Sequence, residues 1–264
     1  DTVAKQAYIV DLTTHTALLS KAADEPMPPA SMSKLMTIYL VFDRLKSGSL
    51  KMEDTFLVSE EAWRKGGSKM FVKVGERVSV HDLLRGIIVQ SGNDACIVVA
   101  EGIAGSEAAF AELMNRKGKE LGLTNSTFRN STGWPDPEHR MTAHDLAILS
   151  QHLIEDFPEY YPIFKELEFT YNGIKQGNRN PLLYQNIGAD GLKTGHTENA
   201  GYGLTASAVR GDRRLIMVLN GMTSMKERSQ ESQRLLDWAF RSFDAYSFFK
   251  KDEEITKADV WLGV

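Results

Sequence analysis

The chain has 264 residues, 42% hydrophobic and 25% charged, with a formal net charge of −4. This is the composition of a soluble globular protein with one large domain, or one domain and an appendage, and it lacks the basic field that a nucleic-acid partner requires. A single cysteine, Cys96, excludes an internal disulfide framework; set in the apolar run "DACIVVA", it reads as a buried, inert thiol.

In chain order, "AYIVDLTTHTALLSKAAD" is two apolar runs around Thr13–Thr16 and predicts a hairpin. "PPA" stops the strand pattern, and Ser31 follows at an N-cap-like position. The spacing predicts a helix to about Ser47, stopped by Gly48. Its apolar residues, from Met32 to Leu45, cover most of the circumference, which is the pattern of a buried central helix. The apolar run Leu35–Phe42 is too short to cross a bilayer. "SVHDLLRGIIVQ" predicts a helix with Ser79 and Asp82 at capping-box spacing, and "SGND" punctuates it. Residues 94–104 and 106–121 continue as helices, "GLTNSTFRNSTGWPDPEHR" is a long loop, and "TAHDLAILSQHLI" opens another helix capped by Thr142 and Asp145. "GLKTGHT", "GYGLTASAVR" and "RRLIMVLNGM" are strand-like, the last two joined at Gly211–Asp212. "KERSQESQRLLDWAFRSF" is an amphipathic helix with Leu235, Leu236, Trp238, Ala239 and Phe243 on one side. Strands at both ends and helices over about 79–156 predict an α+β fold, with one antiparallel sheet formed where the terminal segments meet. After about residue 245 the pattern weakens to a charged stretch and a short strand-like run.

Three short motifs carry chemistry. Ser31 and Lys34 are three apart, a spacing that puts both side chains on one face. A serine hydroxyl needs a neighbouring base, and burial favours the neutral form of a lysine. A helix N-terminus also suits a developing oxyanion. Alone the pair means little, since Ser247–Lys250 in "SFFK" has the same spacing and reads as an exposed helix end. "SGN", Ser91 to Asn93, lies at a break between helices and can turn two polar side chains into a cleft. "KTG", Lys193 to Gly195, can offer a cation, a hydroxyl and a close backbone to a carboxylate; Lys46–Ser47–Gly48 has the same residue types but ends a helix. The order of the three motifs, and the structural context each falls in, match the serine-x-x-lysine, serine-x-asparagine and lysine-threonine-glycine triple of class A β-lactamases and penicillin-binding proteins.

With "PASMSKLMT", "VQSGNDAC", "LGLTNSTF", "DGLKTGHTENAGYGLTASA" and "RLLDWAFRSF", the chain resembles a low-molecular-mass penicillin-binding protein of the serine D-alanyl-D-alanine carboxypeptidase family over about residues 5 to 262. The resemblance implies the β-lactamase/transpeptidase-like fold. It implies Ser31 as the acyl-enzyme nucleophile and Lys34 as its base. Ser91, Asn93 and Lys193 would complete the polar network, Ser91 and Lys193 passing a proton to the leaving D-alanine. Thr194, Gly195, His196 and Arg228 would bind substrate: Thr194 and Arg228 at the terminal carboxylate, and the N–H groups of Ser31 and His196 as the oxyanion hole. The substrate implied is a peptidoglycan stem peptide ending in D-Ala-D-Ala, with β-lactam antibiotics as covalent inhibitors. No cofactor and no metal are expected. The location implied is bacterial and extracytoplasmic or periplasmic, although "DTVAKQAYIV" has no apolar signal core. Residues 1–245 would form the catalytic domain. Residues 246–264 would be a linker and the first strand of an incomplete β-rich second domain, with inner-membrane association left to a full-length form.

Other activities fit less well. A class C or D activity is not considered. A class A β-lactamase needs a Glu-x-x-Leu-Asn segment after the second motif, and "FKELEFTYNG" lacks that spacing. An idle peptidoglycan-binding module would not need both Ser31 and Lys34. The six histidines include no His-Glu-x-x-His, and no Gly-x-Ser-x-Gly elbow occurs.

Overall fold

The computed structural model describes residues 1–244 and 253–256. Strands β1 (Gln6–Asp11) and β2 (Thr16–Lys21) form the expected N-terminal hairpin. The buried helix α1 (Lys34–Ser47) follows, then a short β3 (Thr55–Leu57), the one-turn helix α2 (Glu60–Arg64) and β4 (Arg77–Ser79). The helical middle comprises α3 (Val80–Ile88), α4 (Asn93–Ala104), α5 (Glu107–Glu120) and α6 (Ala143–Asp156). A small hairpin, β5 (Glu168–Tyr171) and β6 (Ile174–Gly177), precedes β7 (Ala189–Thr197), β8 (Gly201–Arg210), β9 (Arg213–Met222) and the closing helix α7 (Met225–Ser242).

The five long strands make one antiparallel sheet in the order β2-β1-β9-β8-β7, so the first and last strand groups meet through the β1–β9 pairing. Alternation along β9 shows how the sheet divides the protein. Leu215, Met217 and Leu219 face a core shared with Leu235, Leu236 and Ala239 of α7. Ile216 and Val218 face the larger core built on α1 and the helical middle. β9 is therefore buried on both faces, as its unbroken apolar run suggests.

Local chemistry sets the helix boundaries. Ser79 and Thr142 accept from the N–H of Asp82 and Asp145, as their spacing predicts. Gly48 closes α1 with φ 75°. Lys34 to Phe42 are all buried, so the helix is enclosed on every side. Ser31 departs from expectation: it is not an N-cap but lies in a 3-10 turn, Ala30–Ser33, and α1 begins at Lys34 after an uncapped Ser33. Packing causes this. Ala30 holds φ 49° beneath Gly133, where an added Cβ would lie 1.9 Å from the Ala30 carbonyl oxygen. A 3-10 turn has three residues per turn, so positions i and i+3 eclipse, and Ser31 stands directly in line with Lys34.

Sequence periodicity did not anticipate α2, the β3–β4 pair or the β5–β6 hairpin, all of which are five residues or fewer per element. The Ser247–Lys250 segment, and the linker and strand expected over 246–264, lie outside the described residues apart from 253–256. Among the described residues no helix is long and apolar enough to cross a membrane.

Candidate active site

Three structural units converge on Ser31. The 3-10 turn carries it, the α3–α4 junction brings Ser91 and Asn93, and edge strand β7 brings Lys193, Thr194 and Gly195. The pairing register explains the third motif. Lys193 pairs with Thr205 and Thr194 with Leu204, so the two side chains point to opposite faces. Lys193 reaches across to donate to Ser91 Oγ at 2.9 Å. Thr194 shares a cavity with Arg228 of α7. Gly195 is where the strand passes the serine turn: a Cβ there would lie 2.9 Å from the Pro29 carbonyl oxygen and 3.1 Å from Met32. Ser91 holds φ 56°, a left-handed conformation that is costly for serine. It turns the chain between α3 and α4, with the Ser91 hydroxyl beside the Lys193 amine.

Lys34 is fully buried, and its Nζ has three oxygen neighbours: Ser31 Oγ at 2.7 Å, Asn93 Oδ1 at 2.8 Å and the Thr132 carbonyl at 2.8 Å. Thr132 O and Asn93 Oδ1 can only accept. The amide is fixed in that sense because its Nδ2 donates to the Gly66 carbonyl at 2.9 Å. A neutral lysine has two N–H donors and one lone pair. With both donors engaged, the lone pair faces the Ser31 hydroxyl, the arrangement a general base requires. Burial also lowers the Lys34 pKa from its ordinary value to about 8. Lys193 is lowered well below its usual range, first by burial and then by the charges of Lys34 and Arg179. Two buried ammonium groups so close to each other favour states with at least one neutral amine.

Cys96 is buried nearby, and burial pushes its thiol up to about 12, which leaves it unreactive. His139 is buried and its pKa falls to about 4 by desolvation; its Nδ1 accepts from the Arg129 N–H at 3.1 Å, so the ring is neutral and structural.

Two cavities open on either side of Ser31. One of about 260 Å³ is lined by Ser31, Ser91, Thr194, His196, Arg179 and Arg228. His196 is exposed, with its ring stacked on Tyr202 at 3.9 Å between centroids, and the Arg228 guanidinium lies 5.7 Å from the same Tyr202 ring. The second cavity, of about 580 Å³, includes Ser31, Ser68, Asn93, Trp134 and Glu198. The structure thus brings together all nine residues expected from the sequence. Reasoning from sequence did not single out Arg179 or the Thr132 carbonyl, because a lone arginine and a backbone oxygen carry no motif.

Asp94 was also missed. Buried at the start of α4, its carboxylate accepts from the N–H groups of Met70, Phe71 and Val72 at 2.9, 2.9 and 3.2 Å. It thereby fastens the cleft-edge segment whose Ser68 carbonyl accepts from the Asn93 N–H at 2.7 Å. Asp94→Asn would set an amide donor against backbone donors. It should cost about 2 kcal/mol of unfolding free energy, read by urea titration. It should also slow acylation, because Asn93 loses its support; an Asn variant with unchanged stability would contradict this account.

An antiparallel sheet covered by α7 on one face and a helical middle on the other, with an active serine at their junction, defines the transpeptidase-like class of active-serine hydrolases. A family model described as D-alanyl-D-alanine carboxypeptidase matches residues 1–224. D-alanyl-D-alanine carboxypeptidase DacC of Escherichia coli is 45% identical over 98% of this chain and 67% of its own length. DacA of the same organism is 42% identical over 98% of this chain and 66% of its own length. The chain therefore spans about two thirds of these curated relatives. Penicillin-binding protein 5 of Haemophilus influenzae superposes with a TM-score of 0.89 at 42% identity, covering 91% of this chain and 72% of that one. Penicillin-binding protein D2 of Listeria monocytogenes, solved in an ampicillin-bound form, superposes at 0.83 with 29% identity, covering 91% of this chain and 98% of that one. The chain belongs to the D-alanyl-D-alanine carboxypeptidase family of serine peptidases.

Proposed function

We propose that this chain removes the terminal D-alanine from peptidoglycan stem peptides ending in D-Ala-D-Ala, through an acyl-enzyme on Ser31. The observation that carries the proposal is the Lys34 amine, with two of its donors engaged and its third position directed at Ser31 Oγ. Ser31 Oγ attacks the carbonyl of the penultimate residue, and its proton passes to Lys34 Nζ. The N–H groups of Ser31 and His196 hold the oxyanion. As the C–N bond breaks, Ser91 and Lys193 relay a proton to the departing amine; their contact at 2.9 Å supports that route. The leaving D-alanine carries a free carboxylate. Thr194, Arg228 and the passing backbone at Gly195 receive it on the side where Arg228 Nε is buried without a hydrogen-bond partner. Water then hydrolyses the acyl-enzyme.

The same attack opens a β-lactam ring, so penicillins are proposed to acylate Ser31; the ampicillin-bound Listeria relative supports this. The site of action proposed is the cell wall outside the cytoplasm, which the bacterial relatives support. A muropeptide mixture treated with the protein should yield free D-alanine and shortened uncross-linked peptides. Cleaved cross-links without free D-alanine would replace carboxypeptidase by endopeptidase.

A further inference from the structure

The cleft is electrically lopsided. On one side of Ser31 the charged lining residues are Arg179 and Arg228, both cationic. On the other, the larger cavity has one charged lining residue, Glu198. Glu198 is exposed, and among the described residues no hydrogen bond or ion pair engages its carboxylate. It lies between the last pair of β7 and β8, Thr197 and Gly201, where Thr197 Oγ1 accepts from the Ala200 N–H at 3.1 Å. The connection is thus a pinned turn rather than a loose loop. The other cation near this side, Lys65, has its ammonium 4.5 Å from the centre of the Trp134 ring.

We propose that Glu198 is a specificity-determining residue that receives a free side-chain amine on the third residue of the stem peptide, the one just before the D-Ala-D-Ala pair. The assignment rests on the carboxypeptidase reading. With the leaving residue on the arginine side and the acylated residue at Ser31, the preceding residue enters the Glu198 cavity. A cationic side chain there complements the cleft, so the substrate carries its carboxylate toward the arginines and its amine toward Glu198. An uncharged or acidic third side chain lacks that partner or is repelled.

The test compares two peptides, Nα-acetyl-Lys-D-Ala-D-Ala and its Nε-acetylated form, by kcat/KM for D-alanine release. Acetylation keeps the side chain and removes its charge. The protein should prefer the free amine by about fivefold, the upper range for a partly exposed ion pair, and added salt should erode the preference. Glu198→Gln should bring the ratio close to one, and Glu198→Lys should invert it. Equal rates on both peptides, or a preference that survives Glu198→Gln, would overturn the assignment while leaving the carboxypeptidase reading intact. D-alanine from neither peptide would remove that reading and the assignment with it.

Discussion

Ser31→Ala should abolish both D-alanine release and the mass adduct formed with benzylpenicillin, while the melting transition stays within a few degrees of the parent. The reason is local. The hydroxyl is the one group at the cleft floor held 2.7 Å from a buried amine. Its removal takes away the bond-forming atom, whereas losing a single hydroxyl at a partly exposed turn position costs the fold little. Knocking out a nucleophile in comparable catalytic units lowers turnover by on the order of 10⁶-fold, so residual activity should be at background. In the parent the adduct should form stoichiometrically and persist, since no Glu-x-x-Leu-Asn segment is present to speed deacylation. A penicillin adduct on Ser31→Ala, or rapid parental turnover of penicillin, would each contradict the mechanism.

The second large effect should come from Lys34. Lys34→Ala should cost nearly as much as Ser31→Ala, because members of one catalytic unit act together and their losses do not add. Alanine also strips the Thr132 carbonyl and Asn93 Oδ1 of a donor in a buried site. Lys34→Met, which keeps most of the volume, separates loss of the amine from loss of packing. Methionine at 34 should leave a folded protein that acylates at least about 10³-fold more slowly. Acylation of the Met variant at near parental rate would exclude Lys34 as the base. The pH dependence follows from the same group. Burial lowers the Lys34 pKa to about 8. The neutral amine is the working form, and it gains population as pH rises through that value. The acylation rate should therefore climb between about pH 7 and 9, and this limb should vanish in Lys34→Met.

Much of this protein is legible in the sequence because local rules and tertiary packing agree. The capping residues Ser79 and Thr142, the glycine stop at Gly48 and the Gly211–Asp212 turn mark boundaries that the structure keeps. Apolar residues all round residues 34–42 predict a central helix, and α1 is central. Ser31 shows the limit of local rules. Serine before an apolar helix reads as a cap, yet contact with Gly133, about a hundred residues away, draws it into a 3-10 turn.

The sequence by itself determined the fold class, the buried helix and the three motifs, since hydrophobic periodicity, turn residues and short-range spacing are written in neighbouring positions. Tertiary structure alone decided that Lys34 presents a lone pair to Ser31, that Asp94 fastens the cleft edge, and that the two sides of the cleft carry opposite charge. Those features depend on the Thr132 carbonyl, on the Met70–Val72 backbone and on where the β7–β8 turn comes to rest. Backbone groups are the same at every residue and leave no trace in composition or spacing. Burial and electrostatic neighbourhood are properties of the packed whole, so they emerge only when distant segments meet.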